Sequence, residues 1–335
     1  MKPWQIVGHE WAVQQLQTAV EHNEVPHALL ISGPDHVGKM TLARLVAGAL
    51  LCKGQDDERP CGTCLACRKL TSGNHPDFML VEPEEEGSAL KIDQIRAVER
   101  FLALTPNESP RKIALIGAFE RATIGAANAL LKTLEEPPAY AHLILLAQDA
   151  DVLLPTIVSR SQQIVLRPLA TTTVEKALRE QWNVPAEKAA HLAQISGGRM
   201  GWAIRAATEA TYHQRMEDAL ALLLDLIHQD LPTRFDTAQA LARDASVSVN
   251  ETLEYWLSGW RDVLLIQTGN VQRAIHQQHH AALVEIAQHI SLHAIINTLK
   301  ALEACQEALQ DNANTQLALE NLLLNLPGAD DAPPR

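Results

Sequence analysis

The stretch "HALLISGPDHVGKMTLARL", residues 27–45, joins a short apolar run, a glycine-bearing loop and a helical pattern. The run "HALLISG" predicts a buried strand, and the segment from Met40 onward has apolar residues at helical spacing. A strand, a glycine loop and a helix in this order are the setting of a phosphate-binding loop, or P-loop. Gly33, Gly38 and Lys39 stand where this motif requires them. The stretch therefore predicts a P-loop α/β domain.

The residue after the lysine departs from the motif. A hydroxyl at that position normally binds the Mg²⁺ ion that accompanies the nucleotide, but this chain has Met40 there and Thr41 one residue later. A thioether is no ligand for a cation that requires oxygen, and Thr41 points about 100° away around a helix. Binding of ATP or ADP therefore stays open and dependence on Mg²⁺ is not expected. A glycine turn kept only for packing is the alternative.

A second requirement for hydrolysis is a carboxylate at the end of a later strand, which supports the metal and orients water. The predicted strand "KIALIGAFE", residues 112–120, has Gly117 and Ala118 at that place, and Glu120 lies beyond the strand end. The phosphate-binding half of an ATPase is therefore present, whereas the hydrolytic half is missing. The sequence predicts a chain that does not hydrolyse ATP by itself.

Strands and helices alternate through the first half of the chain, which favours a parallel sheet with helices on both faces. The strand signal ends near residue 167, and the remaining segments have helical periodicity. One such segment carries an apolar stripe at helical spacing, formed by Leu253, Trp256, Leu257, Trp260, Val263 and Leu264. We predict an α/β domain, a small helical module, a larger helical domain and a disordered tail, which cover 1–167, 168–208, 209–326 and 327–335.

Four of the five cysteines are clustered with the spacing C-x8-C-x2-C-x2-C, at Cys52, Cys61, Cys64 and Cys67. Two-residue gaps allow neighbouring thiolates to bind one ion, and four sulfurs complete a tetrahedral zinc shell without an open position. The cluster therefore predicts a structural zinc module, with disulfides or a redox pair as weaker alternatives. His75 is interpreted as a turn residue rather than a ligand, and Cys305 as a buried apolar residue.

The charge balance limits the partners of the chain. The 335 residues carry a net charge of −12, and 47% of them are hydrophobic. A protein that binds DNA alone usually has a basic excess, so DNA contact is expected to be local or shared with other chains. A free-standing zinc-dependent DNA-binding protein is therefore a disfavoured alternative. No apolar run has the length of a membrane span, and no secretory signal is visible, so we expect a cytoplasmic protein without a membrane partner.

Several stretches together resemble the bacterial DNA polymerase III clamp-loader subunits, which are AAA+ proteins. Besides the P-loop stretch, they are "PCGTCLACRKLTSGNHPD" (60–77), "ANALLKTLEEPP" (127–138), "TIVSRSQQI" (156–164) and "NANTQLALENLLLNL" (312–326). The resemblance implies an AAA+ domain with an inserted zinc module, a helical lid and a helical collar that serves oligomerisation. It also implies a five-subunit ring, built with motor (gamma/tau) and delta subunits, that opens the sliding clamp and loads it on primed DNA.

The resemblance also assigns residues. Arg160 matches the arginine finger that completes the ATP site of a neighbouring subunit, and Ser159 would position it. Ser161 replaces a cysteine of the family motif. The nucleotide site would comprise an adenine pocket and the loop, at Ile6, Val7, Gly33, Gly38, Lys39 and Thr41.

Two branches of the family fit the shared motifs. The gamma/tau motors carry an Asp-Glu pair where this chain has Gly117 and Ala118, and a sensing arginine where Gly201 stands in "GRMGWAI". Together with Met40, these departures favour the non-hydrolysing delta-prime branch. An ATP-hydrolysing gamma/tau-type motor is the alternative.

Overall fold

The apolar runs of the first half form one parallel sheet. The computed structural model describes residues 4, 6–55, 59–84, 88–244, 247–310 and 313–328. Within them the strands are β1 (Ala28–Ser32), β2 (Phe78–Val81), β3 (Lys112–Ile116), β4 (Ala141–Ala147) and β5 (Gln162–Val165). The strand order is β2-β3-β4-β1-β5 and every neighbouring pair is parallel. The predicted parallel α/β fold is confirmed, whereas most of the predicted tail (327–335) lies outside the described residues.

Helices connect these strands. In chain order they are α1 (Glu10–Glu21), α2 (Lys39–Leu51), α3 (Leu65–Thr71), α4 (Ile92–Ala103), α5 (Ile124–Glu135) and α6 (Pro155–Val158). Most of the loop of the P-loop stretch lies between β1 and α2, as predicted. A parallel connection needs such a crossover element, so strand-helix alternation in the sequence corresponds directly to the sheet.

The sheet is buried on both faces. Leu29 and Ile31 of β1 pack in one apolar cluster with α1 and α2, whereas Ala28 and Leu30 pack in a second cluster with α4 and α5. Successive side chains of a strand point to opposite faces, so a strand covered on both sides must be apolar throughout. This requirement explains why "ALLIS" shows no polar alternation.

Two compact units divide the chain, Met1–Ile204 and Arg205–Arg335. The first unit also contains α7 (Thr171–Trp182), α8 (Ala186–Ile195) and the start of α9 (Met200–Thr208). The predicted boundaries at 167 and 208 remain predictions, because the structural division falls within α9. Among the described residues, no helix is both long and apolar enough to cross a membrane.

The second unit is helical, as predicted. Its α-helices are α10 (Ala210–Leu226), α11 (Leu231–Arg243), α12 (Val249–Gln267), α13 (His280–His289), α14 (Leu292–Gln310) and α15 (Thr315–Leu324). The predicted stripe lies on α12, where Trp256 and Trp260 are fully buried and Leu257 and Leu264 are half-buried. Trp256 Nε1 donates to the carbonyl of Ala219 on α10 at 2.8 Å.

A buried arginine joins two helix ends in this unit. Arg234 on α11 is 2% exposed. Its guanidinium donates to the carbonyls of Leu226 and Ile227 at the end of α10, and to those of Leu323, Leu326 and Pro327 at the end of α15. The last carbonyls of a helix lack internal partners and carry partial negative charge. One planar five-donor group therefore caps both helices.

Candidate functional site

The four clustered cysteines come together in space. Their Sγ atoms all lie within 4.8 Å of one another, and the set could hold a metal ion. Cys52 follows the end of α2, Cys61 and Cys64 lie in the following loop, and Cys67 belongs to α3. None of the four forms a disulfide. The geometry thus matches the predicted ligand set residue by residue.

Backbone amides surround the sulfurs. The N–H groups of Gly54 and Cys61 donate to Cys52 Sγ at 3.3 and 3.4 Å, and those of Cys64 and Cys67 donate to the preceding cysteine of the cluster at 3.4 and 3.5 Å. The Cys64 amide, with that of Thr63, lowers the pKa of Cys61 to about 6. Such bonds favour thiolate, which is the form that binds metal.

The remaining sulfur and imidazole candidates stand apart from this cluster. Within the described residues, the metal-binding group contains only the four cysteines. His75 is 2% exposed; its Nδ1 accepts from the Asp77 amide at 3.1 Å, and its Nε2 lies 3.3 Å from Ser109 Oγ. Cys305 is buried on α14, and burial raises the pKa of its thiol to about 11. Both residues have structural roles, as the sequence predicted.

Asp77 is a structural residue that the sequence analysis did not identify. Its fully buried carboxylate accepts the backbone N–H groups of Asn107, Glu108 and Ser109 at 2.6 to 2.9 Å, and Lys112 Nζ lies 3.8 Å away. Burial alone would raise the pKa of Asp77, but these donors hold it below its ordinary value. The sequence offered no signal for this role, because the three amides lie some thirty residues downstream.

The glycines of the phosphate loop meet steric demands. Gly33 has φ 146° and Gly38 has φ 112°. Residues that carry a Cβ rarely adopt such positive φ angles. A Cβ on Gly33 would lie 2.2 Å from the carbonyl oxygen of Leu166, and one on Gly38 would lie 3.1 Å from Ile6 Cδ1. Ile6 therefore lies against the N-terminus of α2, in the neighbourhood assigned to the nucleotide.

Lys39 is held by its own loop. Its ammonium donates to the carbonyls of Gly33 and Pro34 and lies 3.2 Å from Asp35 Oδ1. The other oxygen of Asp35 accepts from Gln148 Nε2, at the end of β4, at 2.7 Å. A carboxylate that neutralises the lysine also places negative charge beside the loop that phosphates would enter. The sequence analysis did not identify this effect of Asp35, although the residue is visible in the loop.

The two residues after Lys39 point in different directions. Met40 packs against the apolar cluster of the first sheet face. Thr41 is exposed and lines a cavity of about 590 Å³ beside Cys67 and α3. Neither side chain is directed with Lys39 into the loop.

The residues that directly follow β3 carry no carboxylate, but the carboxylate of Glu82, which follows β2, lies 3.1 Å from the position that a Cβ on Gly117 would take. Gly117 follows the strand, and Glu120 lies in the short 3-10 turn Phe119–Arg121. Burial raises the pKa of Glu120; the charge of Asp35 raises it further, whereas Lys39 lowers it. Its Oε2 atom is buried without a hydrogen-bond partner among the described residues. A carboxyl group held toward its neutral form is a weak ligand for Mg²⁺.

Gly201 contacts the phosphate loop directly. Its N–H donates to the carbonyl of His36 at 2.7 Å, and a Cβ at this position would lie 2.9 Å from the same oxygen. The loop is also held by His9, whose Nε2 lies 3.1 Å from the carbonyl of Val37. The helical segment after residue 168 therefore contacts the P-loop through backbone atoms of Gly201. In motor subunits the resemblance places an arginine at this position.

Arg160 lies in the turn between α6 and β5. Its Nη1 donates to the carbonyl of Thr156 at 3.1 Å and to Ser159 Oγ at 3.4 Å. Its Nη2 forms an ion pair with Glu135 Oε1 at 2.7 Å, and 36% of its side chain is exposed. The guanidinium is thus both anchored and reachable from solvent, and Ser159 Oγ is one of its contacts.

The parallel sheet, the glycine loop and the cysteines make this a P-loop α/β protein with an inserted four-cysteine cluster and a helical C-terminal unit. The sequence profile described as "DNA polymerase III, delta subunit" matches residues 8–170, and the profile "DNA polymerase III, delta subunit, C terminal" matches residues 213–327. The DNA polymerase III subunit delta' of Bacillus subtilis is 30% identical over 318 residues, which cover 93% of this chain and 94% of that protein. The chain belongs to the DNA polymerase III delta-prime subunit family.

Two further relatives agree with this assignment. The DNA polymerase III subunit delta' of Pseudomonas aeruginosa is 39% identical over 197 residues, or 58% of each chain. The DNA polymerase III subunit tau of Bacillus subtilis is 31% identical over 169 residues, but these cover only 50% of this chain and 30% of that protein. The similarity to this tau subunit is therefore partial, whereas the similarity to the Bacillus subtilis delta' subunit spans both units.

Proposed function

We propose that this chain is the non-hydrolysing structural subunit of a replicative clamp loader. It assembles with gamma/tau motor subunits and a delta subunit into a ring that opens the sliding clamp and loads it on primed DNA. In this ring it donates Arg160 to the ATP site of a neighbouring motor. Membership of the delta-prime family supports the assembly, and the geometry of the chain's own residues supports the division of labour.

One contrast between two cations carries the proposal. Lys39, which would bind phosphate in this chain, is tied to two loop carbonyls and to Asp35. Arg160, which would bind phosphate in a neighbour, is partly exposed and held at the end of a short helix. An arginine placed on developing phosphate charge stabilises the transition state without needing chemistry in its own subunit. The chain therefore serves catalysis in trans.

In this proposal the P-loop of the chain takes no part in ATP hydrolysis. Met40 supplies no oxygen ligand, Glu120 is held toward its neutral form, and Gly201 replaces the sensing arginine. ATP or ADP binds weakly at most, because Asp35 already satisfies Lys39. Titration of the isolated chain with a fluorescent ATP analogue, with and without Mg²⁺, tests this point. Tight Mg²⁺-dependent binding would contradict it.

The four cysteines hold structural zinc in the proposal. In a tetrahedral site with Zn–S bonds of ~2.3 Å, neighbouring sulfurs are about 3.8 Å apart. Cys52 Sγ and Cys64 Sγ lie 3.8 Å apart. Four thiolates leave no open position for water, so the ion would stabilise the fold rather than activate a reactant. Metal analysis of the purified protein is expected to give about one zinc ion per chain.

The finger role is tested in the reconstituted ring. Arg160→Ala is expected to leave assembly intact and to lower the ATPase rate on primed DNA by ~10³-fold at the neighbouring site, the lower end of the range for arginine fingers. Because the ring contains several ATP sites, single-turnover hydrolysis resolves the affected site from the others. An unchanged single-turnover profile would remove the finger role.

The motor alternative makes the opposite prediction for the isolated chain. Glu120 lies in the turn after β3, and the Glu82 carboxylate lies 3.1 Å from the Cβ position of Gly117. If the isolated chain turned over ATP, and both Lys39→Ala and Glu120→Gln abolished that turnover, the chain would be a motor. We expect no turnover in any of the three proteins.

A further inference from the structure

Glu135 lies at the C-terminus of α5, where an acidic side chain is unfavourable for helix stability. It is the last residue of α5, and Glu136 follows as the C-cap. The free carbonyls at a helix C-terminus carry partial negative charge, so an acidic side chain there costs stability. A residue that breaks a local rule in this way marks a position where another requirement dominates. "LEEPP" belongs to a stretch that carries the family resemblance, and that resemblance assigns no role to its carboxylates.

The structure pairs this carboxylate with Arg160. Glu135 Oε1 accepts from Arg160 Nη2 at 2.7 Å, and the carbonyl of Thr156 accepts from Nη1 at 3.1 Å. Acceptors from two separate helices therefore hold the two terminal nitrogens. A guanidinium has five N–H groups in a rigid plane, and within the described residues Nε of Arg160 has no acceptor. The Nε edge stays available to an oxygen of another molecule.

We propose that Glu135 is a positioning residue for Arg160. It fixes the plane of the guanidinium so that its free edge meets the terminal phosphate of a nucleotide bound by the neighbouring subunit. An exposed ion pair adds little net stability, because solvent screens the charges and ordering two long side chains costs entropy. The benefit lies in catalysis, since an arginine already oriented loses less freedom when it binds phosphate. This inference rests on the proposed finger role of Arg160.

Glu136 provides a matched control. It is adjacent, equally acidic, exposed, and at the same helix end. Replacing either glutamate by glutamine removes one unfavourable charge from the end of α5, so both variants should affect folding and assembly alike. Only Glu135→Gln removes the 2.7 Å contact with Arg160.

The test uses the complete reconstituted ring with sliding clamp and primed DNA. Glu135→Gln is expected to lower kcat for ATP hydrolysis about threefold with KM unchanged, and Glu136→Gln is expected to match the parent protein. The double variant Glu135→Gln, Arg160→Ala should be no slower than Arg160→Ala alone, because the glutamate acts only through the arginine. Size-exclusion chromatography confirms that each ring assembles.

The outcomes separate this inference from the proposed function. If Arg160→Ala leaves hydrolysis unchanged, the finger role fails and Glu135 has nothing to position. If Arg160→Ala slows hydrolysis but Glu135→Gln does not, the positioning role alone is wrong. It is also wrong if Glu136→Gln gives the same loss, or if the double variant is slower than Arg160→Ala by the full factor of Glu135→Gln.

Discussion

Arg234 offers the sharpest test of how the helical unit is held together. Its guanidinium is almost fully buried and donates to five carbonyls at the ends of α10 and α15. No carboxylate neutralises it among the described residues; the partial charges of two helix termini do so instead. Burial lowers the pKa of Arg234, but an arginine remains charged at any working pH. The five acceptors therefore stabilise a buried cation.

The expected cost of Arg234→Met follows from these contacts. A hydrogen bond to a charged group contributes ~1.5–3 kcal/mol to stability, while removing the guanidinium also recovers the cost of its desolvation. Arg234→Met leaves five carbonyl oxygens without this donor, at ~1–3 kcal/mol for each buried group that stays unsatisfied, and we expect a net loss of about 4 kcal/mol. Arg234→Lys keeps the charge but is a point donor with three N–H groups, so it should lose roughly half as much.

Hydrogen exchange of the full chain measures this effect unit by unit. A loss of ~4 kcal/mol corresponds to about a thousandfold faster exchange of globally protected amides. We expect it in α10 and α15, while β1 and β4 of the other unit keep their protection. Arg243→Met on the exposed end of the same helix is the control, with an expected change below ~0.5 kcal/mol. Equal protection in Arg234→Met and the parent protein would refute the reasoning.

Three further predictions concern the first unit. Cys61→Ser should reduce the bound zinc, measured by mass spectrometry, from about one ion per chain to a small fraction. Cys305→Ser should retain the zinc, and equal metal content in the two variants would exclude the cluster as the zinc site. Because the pKa of Asp77 is lowered in the folded state, its contribution is complete above its unfolded pKa of ~3.9 and is lost as pH falls through the folded pKa. Asp77→Asn should therefore lower the free energy of unfolding by ~2 kcal/mol near neutral pH and weaken its decrease below pH ~4. Denaturant titrations in which this pH dependence is unchanged would count against the prediction. Gly201→Ala should lower the melting temperature although alanine favours helices by ~1 kcal/mol, because its Cβ would lie 2.9 Å from the His36 carbonyl oxygen; a higher melting temperature would contradict the contact.

Much of the site was predictable because its parts are local in sequence. The cysteine spacing identified all four residues of the cluster, since two-residue gaps bring thiolates together whatever surrounds them. The glycine loop was predictable because positive φ angles restrict Gly33 and Gly38 to glycine. The contact of Arg160 with Glu135 was not predictable from the sequence, because the two residues are 25 positions apart and no periodicity relates the end of one helix to a later turn.

The kind of fold could be read from the sequence, and the sequence also predicts which chemistry the chain lacks. Continuous apolar strands alternating with helices require a doubly covered parallel sheet, and Met40 and Gly117 themselves supply no side-chain oxygen ligand in any conformation. Where the remaining charges act depends on the folded structure. Folding brought Asp35 onto Lys39, aligned three amides on Asp77 and buried Arg234 between two helix ends. The partners of Asp77 and Arg234 are distant along the chain, whereas Asp35 is near Lys39 in sequence but contacts it only because of the direction of its side chain. The effect of a charge depends on distance and burial in the folded protein rather than on its position in the sequence.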